Sequence, residues 1–296
     1  MSGNSENSKL DIIRVSPDEA SARLTFTDIV AYARRPALFE DAPDLPDRVR
    51  GALGRKLEGL AIKATDPLLA EEAAGAWRTF FGAAGRDFGA RPYVVRVDAN
   101  AREIKIVLRL FGAAAKFARV SEVALAVALE QGIAIKHHGY HRVRFSIDRL
   151  EKVSATGTSR RAAPASAVII LRTPLALRVG SAIKSSLVSL PSNVAHRALR
   201  LAPWLGYKVT FDSLRLSHAS AALEWEESCL TQDFWEHHSS STNARNARVP
   251  LAGLTGKVHV RGDLGPVWPF LRLGADIHAG SETAMGLGRY ETIALP

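Results

Sequence analysis

Hydrophobic and polar residues alternate with a period of two in several short runs, and with a helical period in several longer ones. Residues 21–31 read as a strand, with Ala22, Leu24 and Phe26 set against Arg23, Thr25 and Thr27. A stretch with Pro36, Pro43 and Pro46 follows, and Pro46 and Asp47 suit the first turn of a helix. In that helix Val49, Leu53, Leu57 and Leu60 form one apolar stripe, while Arg48, Arg55, Lys56 and Lys63 fall on other faces. A second helical stretch runs from about Pro67 to Phe81. Two strands, Tyr93 to Asp98 and Glu103 to Phe111, a helix from Ala114 to Gln131 and a strand from Tyr140 to Asp148 complete the unit. The order is βαββαβ with one extra helix, which is the ferredoxin-like unit shared by RNA-recognition modules.

Residues 153–165 read as a linker, rich in small and polar residues. A second unit begins with a strand from Ala167 to Leu177. Gly180 to Arg200 reads as a basic helix that Pro191 should split in two. Tyr207 to Leu216 and Ala221 to Glu226 read as strands, Thr231 to Arg248 as a polar loop, and Lys257 to Arg261 as a strand. A helix from Val267 to about His278 and a strand from Tyr290 to Leu295 close the chain. The expected fold is α+β: two tandem ferredoxin-like (RRM-like) βαββαβ domains with a basic helical insertion. The expected boundaries are a disordered tail over residues 1–20, a first domain over 21–155 and a second over 166–296.

Composition adds a partner class. The chain has 296 residues, of which 47% are hydrophobic and 23% charged, as in a soluble globular protein. No apolar run is long enough to span a bilayer, and the polar start has no signal-peptide core. Cys229 is the only cysteine, which excludes an intramolecular disulfide; a buried, inert thiol in a cytoplasmic protein is the expectation. Net charge is +9. No Asp or Glu occurs from Lys152 to Phe211, a stretch that carries Arg160, Arg161, Arg172, Arg178, Lys184, Arg197, Arg200 and Lys208. Such an excess cannot be surface ion pairing and points to a polyanion. With no continuous apolar face beside the charges, nucleic acid ranks above membrane.

Near the C-terminus Gly280, Gly286 and Gly288 punctuate a segment between the last helix and strand. The spacing alone fits a tight turn, and equally a loop that offers bare N–H groups to a phosphate. It is neither a P-loop nor a dinucleotide fingerprint. The segment Lys257-Val-His-Val-Arg-Gly-Asp-Leu-Gly265, the helix ending in Leu-Gly with an Ile277-His278 step, and the Gly-rich loop together resemble the C-terminal motif of the CRISPR-associated endoribonucleases of the RAMP superfamily. These enzymes cut precursor CRISPR RNA within its repeats. Leu45-Pro-Asp-Arg-Val-Arg-Gly-Ala-Leu-Gly-Arg-Lys-Leu57 resembles the family's first helix, and Pro92-Tyr-Val-Val-Arg96, Glu103 to Gly112 and Leu171 to Leu177 resemble later strands.

The resemblance implies metal-independent cleavage: the ribose 2′-hydroxyl attacks the adjacent phosphate and leaves a 2′,3′-cyclic phosphate. No cofactor is implied, and the sequence offers no convincing carboxylate cluster for magnesium. The implied partners are precursor and mature CRISPR RNA and other effector subunits. Many members use a histidine in or near the first helix. This chain departs from that pattern, with none from Arg23 through Lys136. The catalytic candidates are therefore Arg23, Arg35 (with Arg34 beside it), Arg245, His237 and His238, because arginine can clamp a phosphate even though it is a poor general base. The RNA-binding candidates are Arg48, Arg50, Arg55 and Lys56 on the first helix, where Gly51 and Gly54 would allow close approach. Arg178, Lys184, Arg197 and Arg200 are candidates flanking Pro191, with Arg248, His278, Gly280, Gly286, Gly288 and Arg289 beyond them. His137, His138 and His141 read as a basic loop more readily than as a metal site. A non-catalytic RNA-binding subunit of an effector complex is the alternative.

Overall fold

The structure is a computed structural model that describes residues 13–36, 44–82, 89–134, 142–157, 162–179, 182–238 and 248–295. The chain starts with β1 (Ile13–Val15) and α1 (Pro17–Arg23), then β2 (Thr25–Arg34), α2 (Leu45–Lys63), α3 (Pro67–Phe80), β3 (Tyr93–Ala99) and β4 (Glu103–Phe111). A 3₁₀ turn (Gly112–Phe117) leads into α4 (Ala118–Gln131); β5 (Ile133–Ala134), β6 (Arg142–Val143) and β7 (Ile147–Thr156) follow. The second half holds β8 (Ser166–Leu175), β9 (Arg178–Val179), β10 (Ala182–Ile183), α5 (Leu190–Leu205), β11 (Tyr207–Val209), α6 (Ser213–Ala221) and β12 (Glu224–Glu226). It ends with β13 (Leu230–His238), β14 (Arg248–Arg261), α7 (Trp268–Ile277) and β15 (Tyr290–Leu295).

The first sheet has the order β3-β4-β2-β7, with every neighbour antiparallel. The second runs β12-β14-β8-β15, with β13 also paired to β14. In each, the fourth strand lies beside the first and the second lies at the far edge, which is ferredoxin-like topology twice over. One core packs α2, α3 and α4 on the first sheet, through Ile29, Leu53, Phe80, Ile106 and Leu125. The other packs α5 and α7 on the second sheet, through Ile169, Val194, Leu201, Val258 and Leu271. Each core borrows from the other half: Ala284 belongs to the first, and Val15, Ala20, Leu24, Val94 and Phe111 to the second. β3 is thus covered on both faces, Tyr93 and Val95 on one side and Val94 on the other.

Several expectations change. Residues 13–20, assigned to a disordered tail, are β1 and most of α1. Ser16 and Glu19 form a reciprocal capping box, Glu19 N–H donating to Ser16 Oγ and Ser16 N–H donating to Glu19 Oε2 at 2.8 Å. β1 pairs in parallel with β11, so the N-terminal segment is stitched to the second half. The closing strand of the first unit is β7, not Tyr140–Asp148, and it takes in the first residues of the expected linker. Its sequence is largely polar; nine register pairs with β2 make it a strand. The basic helix is not broken. Pro191 sits in the first turn of α5, where it lacks only an N–H that no carbonyl needs, and the residues before it form the β9–β10 ribbon. Within the stretch expected to be a polar loop, residues 231–238 belong to strand β13, which pairs with β14 from Leu230↔Gly256 to His238↔Arg248, while residues 239–247 lie outside the described residues. Cys229 is exposed rather than buried, because it lies in the turn that leads into β13.

Ser16→Ala removes the α1 cap, and a lost N-cap costs about 1 kcal/mol. The variant should show a lower denaturation midpoint. An unchanged midpoint would mean that α1 contributes nothing to the stability of the fold.

Candidate nucleic-acid interface

The last helix ends at Ile277, and the chain then turns sharply through His278, Gly280 and Glu282. His278 and Glu282 adopt positive φ (62° and 57°), as do Gly280, Gly286 and Gly288. At Gly286 a Cβ would lie 2.3 Å from Pro46 Cβ and 2.8 Å from Val95 O; at Gly288 it would lie 1.7 Å from Ala279 O. The glycines therefore serve close approach within the protein. The Gly-rich loop lies against the start of α2 and against β3, two segments that the sequence treats separately.

Its backbone is not bare. Gly280 N–H donates to Asn193 Oδ1 (2.7 Å), Ser281 N–H to Ala176 O (3.0 Å), Gly286 N–H to Thr283 O (3.0 Å) and Gly288 N–H to Pro174 O (2.9 Å). Thr173 Oγ1 donates to Gly286 O and accepts from Arg289 N–H, both at 2.9 Å. The expectation that these glycines hand free N–H groups to a phosphate is corrected. A turn at this depth must satisfy its own donors, and this one does so on β8 and α5.

Beneath the loop is a joint between the two sheets. Arg109 on β4 donates Nε and Nη2 to the two Asp28 oxygens at 2.8 Å each, donates Nη1 to Asp276 Oδ1 at 3.0 Å, and lies 3.5 Å over the Phe26 ring. Arg96 on β3 donates to Asp276 O at 2.6 Å and to Ala275 O, and its Nε donates to His278 Nε2 at 3.1 Å. Arg197 on α5 donates to Ile277 O at 2.7 Å. The last carbonyls of α7, orphaned by the helix end, are thus capped by arginines from elsewhere, where the helix dipole also favours cations. Because Arg96 donates to Nε2, His278 carries its proton on Nδ1, which donates to Leu287 O at 3.1 Å. Burial, followed by the positive charges of Arg96 and Arg197, holds the His278 pKa well below its ordinary value. Burial likewise lowers Arg96 to about 10 and Arg197 to about 9, both still cationic at neutral pH.

The proposed residues separate into groups. His278 and Arg197 are fully built into the joint, and Gly280, Gly286 and Gly288 into the loop fold. Arg48 is engaged by Asp44 (2.6 Å) and Ala134 O (2.9 Å), and Arg50 by Tyr93 Oη (3.2 Å) and Asp47, over the Phe81 ring. Gly54 meets the Phe81 ring rather than solvent. Arg55 is exposed; burial, then Arg142, lowers its pKa, and Lys56 donates to Gln131, so this end of α2 is a basic patch with Arg142. Arg178 is exposed and donates to Ser281 Oγ at 3.2 Å, at the loop's rim. Lys184 and Arg200 are exposed. Arg289 donates to Asp98 at 2.6 Å, and Glu291 links it to Arg172. Arg35 donates to Asn100 O, two residues along from Asp98, so Arg35, Arg172 and Arg289 gather near the end of β3. Arg23 is elsewhere, exposed at the end of α1 rather than on a strand. His237, His238 and Arg248 occupy the far end of the β13–β14 hairpin, six pairs beyond the point where β14 last meets β8 at Leu254↔Leu175. Arg245, His137, His138 and His141 lie outside the described residues.

The sequence reading missed Asp28, Arg96, Arg109 and Asp276. Their signal is that charged residues sit within strands and a helix whose other positions are apolar. Asn193 and Thr173, which tie down the loop, left no signal.

The comparisons follow from this architecture. Two ferredoxin-like units in tandem define the fold class, and solved structures share it. A Cas6 product complex has a TM-score of 0.54 at 13% identity, over 90% of this chain and 99% of that one. Thermus thermophilus Cas6 gives 0.50 at 13% identity, over 91% and 99%. A partial Cas6-RT-Cas1–Cas2 complex gives 0.51 at 9% identity, over 91% of this chain and 46% of that one. At such identities these likenesses establish a common fold. Residues 169–290 match the family model of the CRISPR-associated endoribonuclease Cas6, so the second unit bears that family's pattern and the resemblance read from the sequence holds. No curated protein matches the chain in sequence. Among the described residues, no helix is long and apolar enough to cross a membrane.

Two outcomes are expected. Arg109→Ala strands Asp28 and Asp276 in a poorly solvated joint and should cost about 3–5 kcal/mol; a melting temperature near that of the wild type would show that the joint is dispensable. For His278 the folded pKa lies below the unfolded one, so the unfolded chain takes up the extra proton as pH falls. Stability should be level above about pH 7 and decline below about 6.5. His278→Gln should flatten that decline in a pH series of melts. A decline of equal slope in the variant would remove His278 as its source.

Proposed function

We propose that this chain is an endoribonuclease that cuts precursor CRISPR RNA within its repeats, without a metal, and retains the mature product. The observation that carries the reading is the Cas6-family match over the unit that contains the Gly-rich loop, together with that loop's seat against the first helix of the other unit. Solved Cas6 proteins of the same fold are described with a product and with a complex of Cas1 and Cas2, which supports RNA and effector subunits as partners.

In this reading the 2′-oxygen forms a bond to phosphorus and the bond to the 5′-oxygen breaks. The nucleophile belongs to the substrate, so the protein must hold an in-line geometry, move two protons and stabilise charge on the phosphate. Arg35 and Arg289, near the end of β3, suit the charge stabilisation. The fork of a guanidinium matches two phosphate oxygens. His237 and His238 are the candidates for proton transfer, and Arg245 for clamping the phosphate. Exposed Arg55, Arg178, Lys184 and Arg200, with half-buried Lys56, suit phosphate contacts along the stem.

A specific observation favours the second reading, a non-catalytic RNA-binding subunit. His278, the one histidine beside the loop among the described residues, is buried with both ring nitrogens engaged, so it cannot shuttle protons.

Incubating purified protein with repeat RNA in excess EDTA should yield a product ending in 2′,3′-cyclic phosphate. Tight binding without cleavage would establish the binding subunit, and activity that returns only with added metal would overturn the mechanism. Replacing exposed Arg178, Lys184 and Arg200 together by Ala should weaken binding and flatten its salt slope by about 2 to 3. An unchanged slope would remove these residues from the interface. Arg197 is left out of that set because it is buried. Gly288→Val, with a Cβ driven into Ala279 O, should unfold the C-terminal unit and so reports on folding rather than on RNA.

A further inference from the structure

On the second unit, β1, β11 and α5 surround a cavity of about 310 Å³ lined by Arg14, Leu199, Lys208, Val209, Thr210 and Phe211. Arg14 and Lys208 are register partners on the parallel β1–β11 pair. Val15 and Val209, the next residues on each strand, are buried, which leaves Arg14 and Lys208 exposed together on the outer side. Like charges in register on paired strands repel. Among the described residues neither has a carboxylate partner. Asp212 is adjacent, but its Oδ1 accepts from Arg215 N–H as the cap of α6. Glu19, on the helix that follows β1, is held by Ser16. Thr210 Oγ1 donates to Val15 O, which fixes the floor. Phe211 is half-buried, held edge-on by His196 and Phe270, each 5.7 Å between ring centres. Two cations held side by side with no carboxylate partner among the described residues, lining one cavity with a fixed aromatic ring, match the two ends of a nucleotide: a phosphate and a base.

We propose that this cavity is a single-stranded RNA subsite, separate from the Gly-rich loop, in which Arg14 and Lys208 take a backbone phosphate and Phe211 takes a base. Its volume lies at the small end of ligand clefts and suits one nucleotide. The proposal rests on the RNA-processing reading and extends it, since a strand flanking the folded part of a repeat would reach a second contact on the same protein. It also gives a reason for β1: the strand brings Arg14 to Lys208.

The test compares three probes, a short oligouridylate, uridine monophosphate and the repeat hairpin alone, on full-length protein. The variants are Arg14→Ala with Lys208→Ala, and Phe211→Leu. The double variant should bind oligouridylate about tenfold more weakly, with a salt slope flatter by about 0.7 for each phosphate released. Phe211→Leu should weaken binding about tenfold, as loss of one stacked base does, with the slope unchanged. Hairpin binding should stay at the wild-type level in both. The double variant should melt at or above the wild-type temperature, because the charges removed are exposed and repel one another. Wild-type binding of oligouridylate by the double variant would overturn the subsite. So would uridine monophosphate binding as tightly as the oligomer, which would assign the cavity to a free nucleotide. If oligouridylate depends on the cavity but the hairpin is neither bound nor cut, the processing function fails while the subsite stands. The reverse pattern sinks the subsite alone.

Discussion

The contact on which the rest depends is the pairing of Arg109 with Asp28 and Asp276. Asp28 and Arg109 lie on neighbouring central strands of the first sheet, and Asp276 lies at the end of the last helix of the second unit. A guanidinium this little exposed must be neutralised and fully hydrogen-bonded. Here that is possible only when the two units meet in one relative position. Arg96 and Arg197 add the same constraint from two other elements by capping the carbonyls of that helix. The helix end is therefore located by three arginines, and the Gly-rich loop that follows it is located in turn.

This arrangement explains how a loop whose glycine N–H groups are already engaged can still matter. Its glycines let the backbone pass within contact distance of Pro46, Val95 and Ala279, where any side chain would collide. What the loop presents outward is its rim, with Arg178, Ser281 and the Arg289–Asp98 pair. His278 stands at the centre as a neutral cross-link between Arg96 and Leu287 O. A histidine at positive φ is strained, and it persists because both ring nitrogens are committed. The motif is thus a structural hinge for an interface rather than the interface itself.

The shared cores tell the same story at larger scale. Val94 and Phe111 on the first sheet, and Val15, Ala20 and Leu24 before it, are buried with the second unit, while Ala284 is buried with the first. The tandem units thus act as one framework. Cations from both halves can share an RNA only if that framework is fixed.

The sequence by itself determined the two βαββαβ units, the final helix and strand, the basic stretch and the family resemblance. Each of these is written in local periodicity, composition or a contiguous motif. It also marked Arg178, Arg55 and Arg289 as cations, of which the structure leaves the first two exposed and the third half-buried. Only the tertiary structure decided which cations are available. Arg197 and Arg178 look alike in the sequence, yet one is buried on Ile277 O and the other lies at the loop's rim. It also decided that a polar stretch is a hairpin and that β7 is a strand, since backbone pairing with β14 and β2 supplies what the side-chain pattern lacks. The partners of Asp28, Arg96, Arg109 and His278 lie as many as 182 residues away along the chain, as Arg96 and His278 show. No window of sequence could join them, because a charge's role is set by what folding brings within hydrogen-bond reach of it.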